Sequence, residues 1–330
     1  MPAYAQLGYV GYVGFSGGGL AGTNVVRATS CDLRATQSIE KPDVVDGHID
    51  KTVYQLGPIE IGGSVAFPAI HEDGAYLMKQ LWRGAVTRDP SFGNLSSKYN
   101  IDVKYAQGVA FGYGDCYIDS FEWNIAQQDV VSCTANIVGT TRGSASDIYT
   151  PIGTPGDGFG QRNSRIVTWN DAVVQFGTSP SGNPADTTGS WVESNEVRSF
   201  SCNVANNMQR YYALNGTLFP TAVAATKRDI GGSMTLMGLN TNISGHGTSV
   251  NKPIAFNNQD RCTENTEVVF GYSVALSGCT SNLIIRIPGV VFEIEEVGIT
   301  NDIFETTINW HALPGVPSNG EGPTTDFLDA

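Results

Sequence analysis

The stretch Val26-Arg27-Ala28-Thr29-Ser30-Cys31-Asp32-Leu33 decides the fold. Thr29, Cys31 and Leu33 fall on one face of an extended chain, the period-two pattern of a half-buried strand. The stretch recurs as Val197-Arg198-Ser199-Phe200-Ser201-Cys202-Asn203-Val204, with four of eight positions identical. Three more matches follow in the same order. Ile61-Gly62-Gly63-Ser64 recurs as Ile230-Gly231-Gly232-Ser233, and Phe121-Glu122 as Phe292-Glu293. The closing strands start from Asp129 and from Asp302. Cys202 follows Cys31 at nearly the spacing at which Gly231 follows Gly62, Phe292 follows Phe121 and Asp302 follows Asp129. Ordered matches at nearly one spacing predict a domain copied in tandem.

Length and composition agree with strands. The chain has 330 residues, enough for two domains with cores of their own. Thirty-nine glycines and only 15% charged residues suit short strands and many turns. Residues 1–10 lack the basic start and apolar run of a signal peptide, and no apolar stretch has the length of a membrane helix. The expectation is a soluble cytoplasmic chain without a membrane partner. The six cysteines form no Cys-x-x-Cys pair, and Cys31 and Cys202 sit inside apolar alternation, so they read as buried free thiols. The net charge of −13 argues against gripping a phosphate backbone, yet an acidic surface could let a polyanion slide past.

Along the chain, the spacing of Leu77/Leu81 and Met78/Trp82, with Asp73 as cap and Gly84 as terminator, predicts one helix over 73–84. Strands are expected at Asp102–Tyr105, Cys116–Ile125 and Asp129–Val138, with Val131, Cys133, Ala135 and Ile137 facing inward. Gly139–Ser164 reads as a linker, Arg165–Phe176 as the strand opening the second half, and 315–330 as a mobile tail. Two long excursions, Ile39–Gly57 and Ala205–Lys227, leave the same strand of each half. Long loops in compact domains are usually functional, and the second carries large apolar residues suited to a protein contact.

The search for chemistry returns little. Gly14-Phe15-Ser16-Gly17-Gly18 matches a hydrolase elbow but is followed by more glycines instead of a helix. His71-Glu72-Asp73 sits where a helix start uses acidic residues, and Glu295-Glu296 point to opposite faces of a strand. The chain is read as no enzyme, with no catalytic, cofactor-binding or metal residue.

The order of elements resembles the tail tube proteins, or major tail proteins, of tailed bacteriophages. Val197–Gly238 carries the resemblance best, through Ser201-Cys202-Asn203-Val204, Asn215–Pro220 and Ile230-Gly231-Gly232-Ser233; Val26–Phe67 and 73–84 repeat it less closely. The resemblance implies an all-β fold with minor α content. It would hold two tandem tube-like β-sandwich domains, 1–150 and 151–330, with the flanking helix in the first alone. It implies a virion tail component assembled in the host cytoplasm, and trimeric rings of pseudo-sixfold symmetry that stack into a DNA-conducting tube. The partners implied are further copies of the chain, a tape-measure protein and tail-end proteins, with DNA passing unbound. The excursions become ring-stacking arms carrying Asp43, Asp46, Asp50, Tyr211, Tyr212, Leu218 and Phe219. Glu122, Asp129, Glu293, Glu295 and Asp302 become candidate lumen carboxylates. The alternative is a carbohydrate-binding β-sandwich of a phage fibre or surface lectin, with Trp169, Trp191, Tyr211 and Tyr212 lining a groove.

Overall fold

The computed structural model describes residues 12–18, 24–26, 28–40, 55–69, 81, 84–85, 97–104, 110–144, 166–178, 192–193, 197–237, 266–276, 279–287, 290–293 and 305–312. The chain is all-β. Its first half contains β1 (Tyr12–Gly17), β2 (Asn24–Val26), β3 (Ser30–Cys31), β4 (Arg34–Glu40), β5 (Gln55–Pro68), β6 (Tyr99–Lys104), β7 (Ala110–Ala126), β8 (Ser132–Gly139) and β9 (Thr141–Ser144). A short 3-10 turn, Trp169–Asp171, leads into β10 (Ala172–Thr178) and β11 (Val192–Glu193). There follow β12 (Val197–Ala205), β13 (Met208–Tyr211), β14 (Ala222–Ala225), β15 (Asp229–Met237), β16 (Thr266–Leu276), β17 (Cys279–Ile287), β18 (Val290–Glu293) and β19 (Glu305–Ala312).

One antiparallel ribbon organises the molecule. Its strands run β4 (with β3), β5, β8, β7, β12, β15, β19, β18. The strands that carry the repeated motifs therefore stand in the same order in each half. The halves meet where β7 pairs with β12, from Ser199 opposite Ala126 to Ala205 opposite Ser120. β7 is long enough to serve two layers: its second part lies in the ribbon, and its first part pairs with β6 and β9. A second layer, β2-β1-β6, covers the first half of the ribbon. Val13, Phe15, Ile101 and Val103 from that layer share one core with Val65, Phe67, Phe121 and Ile137. β11-β10-β16-β17 form a separate four-stranded sheet.

The inward alternation expected over Asp129–Val138 is present: Val131, just before β8, and Cys133, Ala135 and Ile137 within it are all buried. In the second half the same face is filled by Phe200, Cys202, Met234, Ile308 and Trp310, with the Phe200 and Trp310 rings stacked at 5.8 Å. Cys116, Cys133 and Cys202 are buried free thiols, and burial pushes each of them up, away from thiolate formation. Cys31 differs in being only partly buried.

Some boundaries move. Leu81, Gly84 and Ala85 are helical and buried, and most of the expected helix lies outside the described residues. Gly84 lies within the helix instead of ending it, and a Cβ there would stand 2.1 Å from the Tyr99 hydroxyl. Residues 141–144, expected to begin a linker, form β9 along β7. The expected strand from Arg165 is interrupted at 169–171, where the Thr168 amide and hydroxyl both donate to Asp171 Oδ2 at 3.0 Å. The tail 315–330 lies outside the described residues.

Candidate functional surface

Two features could act on other molecules: the solvated face of the ribbon, and a hairpin laid across one end of it. A sheet with one buried face must present a polar one to water. Here that face is built from hydroxyls and amides. Ser132 and Asn136 on β8, Glu122 and Asn124 on β7, Asn203 on β12, and Thr307 and Asn309 on β19 are all exposed. Neighbouring side chains satisfy one another: Asn136 Nδ2 donates to Ser120 Oγ at 2.6 Å, and the Thr235 and Thr307 hydroxyls meet at 3.3 Å.

The glycine pairs shape this wall. A Cβ on Gly232 would lie 1.9 Å from the Ser201 carbonyl, and one on Gly63 would lie 2.6 Å from the Asp32 carbonyl. Gly63 also has φ +151, which disfavours any side chain. Each pair is thus a close approach to the first strand of its half. The serine that follows ties the two strands together. Ser233 N donates to Ser201 Oγ at 2.9 Å, while Ser64 donates its amide and its hydroxyl to Asp32 Oδ1.

The candidate carboxylates fare differently. Glu122 is exposed on the polar face, between the buried Phe121 and Trp123, and opposite Asn203 and Thr134. Glu293 occupies the end of β18, opposite the exposed Asn309. Asp129 is exposed in the β7–β8 turn, outside the strand alternation, where its carboxylate accepts from the Val130 amide at 2.7 Å. Glu295 and Asp302 lie outside the described residues, as do Asp43, Asp46 and Asp50.

The second excursion folds as the hairpin β13–β14, and it returns to its own chain. Val223 packs with Tyr117 and Val138 on the ribbon. Arg210 donates to the Ile61 carbonyl at 2.8 Å and pairs with Glu60 at 3.8 Å. The Tyr212 hydroxyl donates to the Ile59 carbonyl at 3.3 Å, and the Ile59 amide donates to the Leu218 carbonyl at 2.8 Å. Burial first, and then Glu60, raises the Tyr212 hydroxyl pKa, and Arg210 opposes them. The tip remains apolar and exposed: Tyr211, Tyr212 and Leu218 are 40–49% accessible and Leu214 fully so. Phe219 instead turns inward against the core. Beside the tip, the facing residues Ile39 and Leu56 on β4 and β5 are also exposed. The sequence alone did not single out Ile39, Leu56 or Leu214; two exposed aliphatics that face each other across a hairpin become visible only with the register.

The aromatics of the carbohydrate alternative do not converge. Trp169 hydrogen-bonds to the β7–β8 turn through Asp129, at the opposite end of the ribbon from Tyr212 and Ile59. Trp191 lies outside the described residues. Ser16, in the elbow-like motif, lies on strand β1, and its hydroxyl is 3.5 Å from the Asn100 carbonyl. Among the described residues there is no cluster of three or more His, Cys, Asp or Glu able to hold a metal ion, and no helix long and apolar enough to cross a membrane.

Residues 5–237 match the phage tail tube protein family. The chain belongs to that family. Membership makes it a structural component of a phage tail within the virion, and the match spans the ribbon from β4 through β12 to β15. No curated protein matches the chain.

Proposed function

We propose that this tail tube family member is the repeating subunit of the tube itself, and that each chain supplies two tube units side by side. The continuous ribbon carries the reading: two four-strand blocks in the same order, joined through β7 and β12, with an outer edge left at each end among the described residues. On this reading 1–150 and 151–330 are tandem copies, and three chains close into a ring of pseudo-sixfold symmetry. Head-to-tail contacts close when the rotation divides a circle, and closure removes the exposed sheet edges. Three eight-position ribbons, at about 4.8 Å per strand, make a ring roughly 37 Å across at the backbone before strand tilt widens it. Such a bore admits double-stranded DNA.

The polar face lines the bore in this reading. Its hydroxyls and amides, with Glu122 and Glu293 among them, leave few cations for a phosphate backbone, Arg34 and an Arg210 already paired with Glu60, so DNA passes without specific binding. The apolar patch of Tyr211, Tyr212, Leu214 and Leu218, with Ile39 and Leu56, contacts the next ring. A tape-measure protein and tail-end proteins complete the set of partners, and assembly takes place in the host cytoplasm. Electron microscopy of the purified chain tests the reading. Rings or hollow tubes are expected, and a chain that stays monomeric at high concentration would refute it.

A further inference from the structure

The tip of the hairpin β13–β14 carries a dipeptide with chemistry of its own, Asn215-Gly216. Residues 211–218 are all exposed, so water reaches both. Three hydrogen bonds place the Asn215 side chain. Its Oδ1 accepts from the Thr217 hydroxyl at 2.8 Å and from the Thr217 amide at 3.2 Å, and its Nδ2 donates to Thr221 Oγ1 at 3.4 Å. An asparagine whose side-chain oxygen accepts from the amide two residues on is folded back over the peptide nitrogen between them. That nitrogen belongs to Gly216, whose amide makes no backbone hydrogen bond among the described residues. Gly216 has φ +77, and nothing lies within 4 Å of the place a Cβ would occupy. No side chain therefore shields the nitrogen from the amide carbon of Asn215.

We propose that Asn215 modifies itself. The Gly216 nitrogen gives up its proton to water or hydroxide and attacks Asn215 Cγ. A carbon–nitrogen bond forms, the Cγ–Nδ2 bond breaks, and Nδ2 takes up a proton and leaves as ammonia. Water then opens the five-membered imide at one carbonyl or the other, giving an aspartate or an isoaspartate. Nothing is oxidised or reduced, and water is the only co-reactant. Both Thr217 donors sit on the oxygen that gains negative charge as the nitrogen adds, which is how an oxyanion is stabilised.

Either product puts a carboxylate beside Leu214, the fully exposed residue of the tip. The modification stands by itself, but its consequence rests on the reading of the tip as a contact with the next ring. A charge buried in an apolar contact costs its desolvation. A subunit that waits unassembled therefore loses its ability to stack, whereas a stacked tip, closed to water, is spared.

The test separates the two. The full chain is aged in mildly alkaline buffer and digested, and the peptide holding Asn215 is followed by mass. It should convert to an acid that elutes as two products. Gly216→Ala should slow conversion roughly tenfold, because a side chain crowds the attacking nitrogen and disfavours this φ. Thr217→Val, which removes the hydroxyl donor, should slow it several-fold, and Asn215→Gln should abolish it. The same dipeptide at Asn319-Gly320 is the internal control, and none of these variants should alter its conversion. An Asn215 that stays intact while Asn319 converts would overturn the proposal, as would a Thr217→Val chain that converts at the wild-type rate. Aged wild-type chain should assemble several-fold less than fresh chain, and Asn215→Gln should keep its assembled fraction. Conversion at Asn215 with no loss of assembly would overturn the stacking consequence and leave the modification standing.

Discussion

The strand that carries the Ser-Cys motif in each half, the first of its block in the ribbon, uses the same local device in two settings. In the first half the strand through Cys31 and Asp32 is held by Gly63 and Ser64; in the second, the strand through Ser201 and Cys202 is held by Gly232 and Ser233. Both devices let two backbones approach more closely than a side chain permits, then repair the ladder with a serine. What differs is the other side. β12 has β7 beside it, and Phe200, Cys202 and Val204 are buried. Residues 29–32 have no such neighbour among the described residues, and Thr29, Ser30 and Asp32 are not buried. Among the described residues the same type of strand is flanked on both sides in one half and on one side in the other: Leu33 is buried, but Cys31 only partly, whereas Phe200 is 1% exposed.

The glycine positions give the strongest way to break this comparison. Gly232→Ala places a Cβ 1.9 Å from a backbone oxygen in a strand paired on both sides. It should cost about 3 kcal/mol or more by denaturant titration, the range for overpacking combined with a lost backbone approach. Gly63→Ala should cost a similar amount, with positive φ adding to the clash. Gly143→Ala, where nothing lies within 4 Å, should be nearly silent. If Gly63→Ala were silent while Gly232→Ala unfolded the chain, the two devices would not be equivalent.

The layer over the first half offers the next largest effect. Asp102 on β6 is 3% exposed, neither carboxylate oxygen has a hydrogen-bond partner among the described residues, and burial pushes its pKa up to about 6. Because the folded value lies above the unfolded one, the neutral acid favours the fold at low pH. That contribution is lost as pH rises from about 4 through 6. Asp102→Asn should therefore raise stability at pH 7 by about 2 kcal/mol, and the gain should vanish below about pH 4. A gain that persisted at acidic pH would show that packing, not charge, sets the effect.

Much of this was legible in the sequence. Period-two alternation located the buried row Val131, Cys133, Ala135 and Ile137, and the recurring Ile-Gly-Gly-Ser marked the two strands that make the close approaches. The register was not legible. The Ser-Cys motifs set Ser30 against Ser201, yet the backbone contacts of Gly63 and Gly232 set Asp32 there instead. A slip of two positions keeps every side chain on its face, so a pattern of period two cannot detect it. Nor could alternation foresee that Asp129 leaves the strand. The turn before it depends on Gln128 at φ 67, a conformation that composition does not announce. The return of the second excursion onto β5 depends on Arg210 reaching across Gly62, where a Cβ would lie 2.8 Å from the guanidinium. Contacts between residues so distant in sequence leave no local trace.

The serines give the smallest and sharpest contrast. Ser233 donates its amide to Ser201 Oγ and its own hydroxyl meets that neutral hydroxyl at 3.0 Å, whereas Ser64 donates both amide and hydroxyl to a carboxylate, Asp32 Oδ1. Removing a side-chain hydrogen bond between neutral groups costs about 1 kcal/mol, and bonds to charged groups cost more, about 1.5–3 kcal/mol. Exposure pulls the other way, because water can replace the lost donor at Asp32 more easily than at the half-buried Ser201. In the free chain these terms offset, so Ser64→Ala and Ser233→Ala should each lose about 1 kcal/mol in denaturant titrations. Assembly should separate them. Once a neighbouring copy excludes water from the first strand, Ser64→Ala should weaken assembly several-fold, while Ser233→Ala, in a strand already flanked by β12, should leave the assembled fraction unchanged. Equal effects on assembly would mean that residues 29–34 stay solvated in the ring, and that the first strand is left open there too.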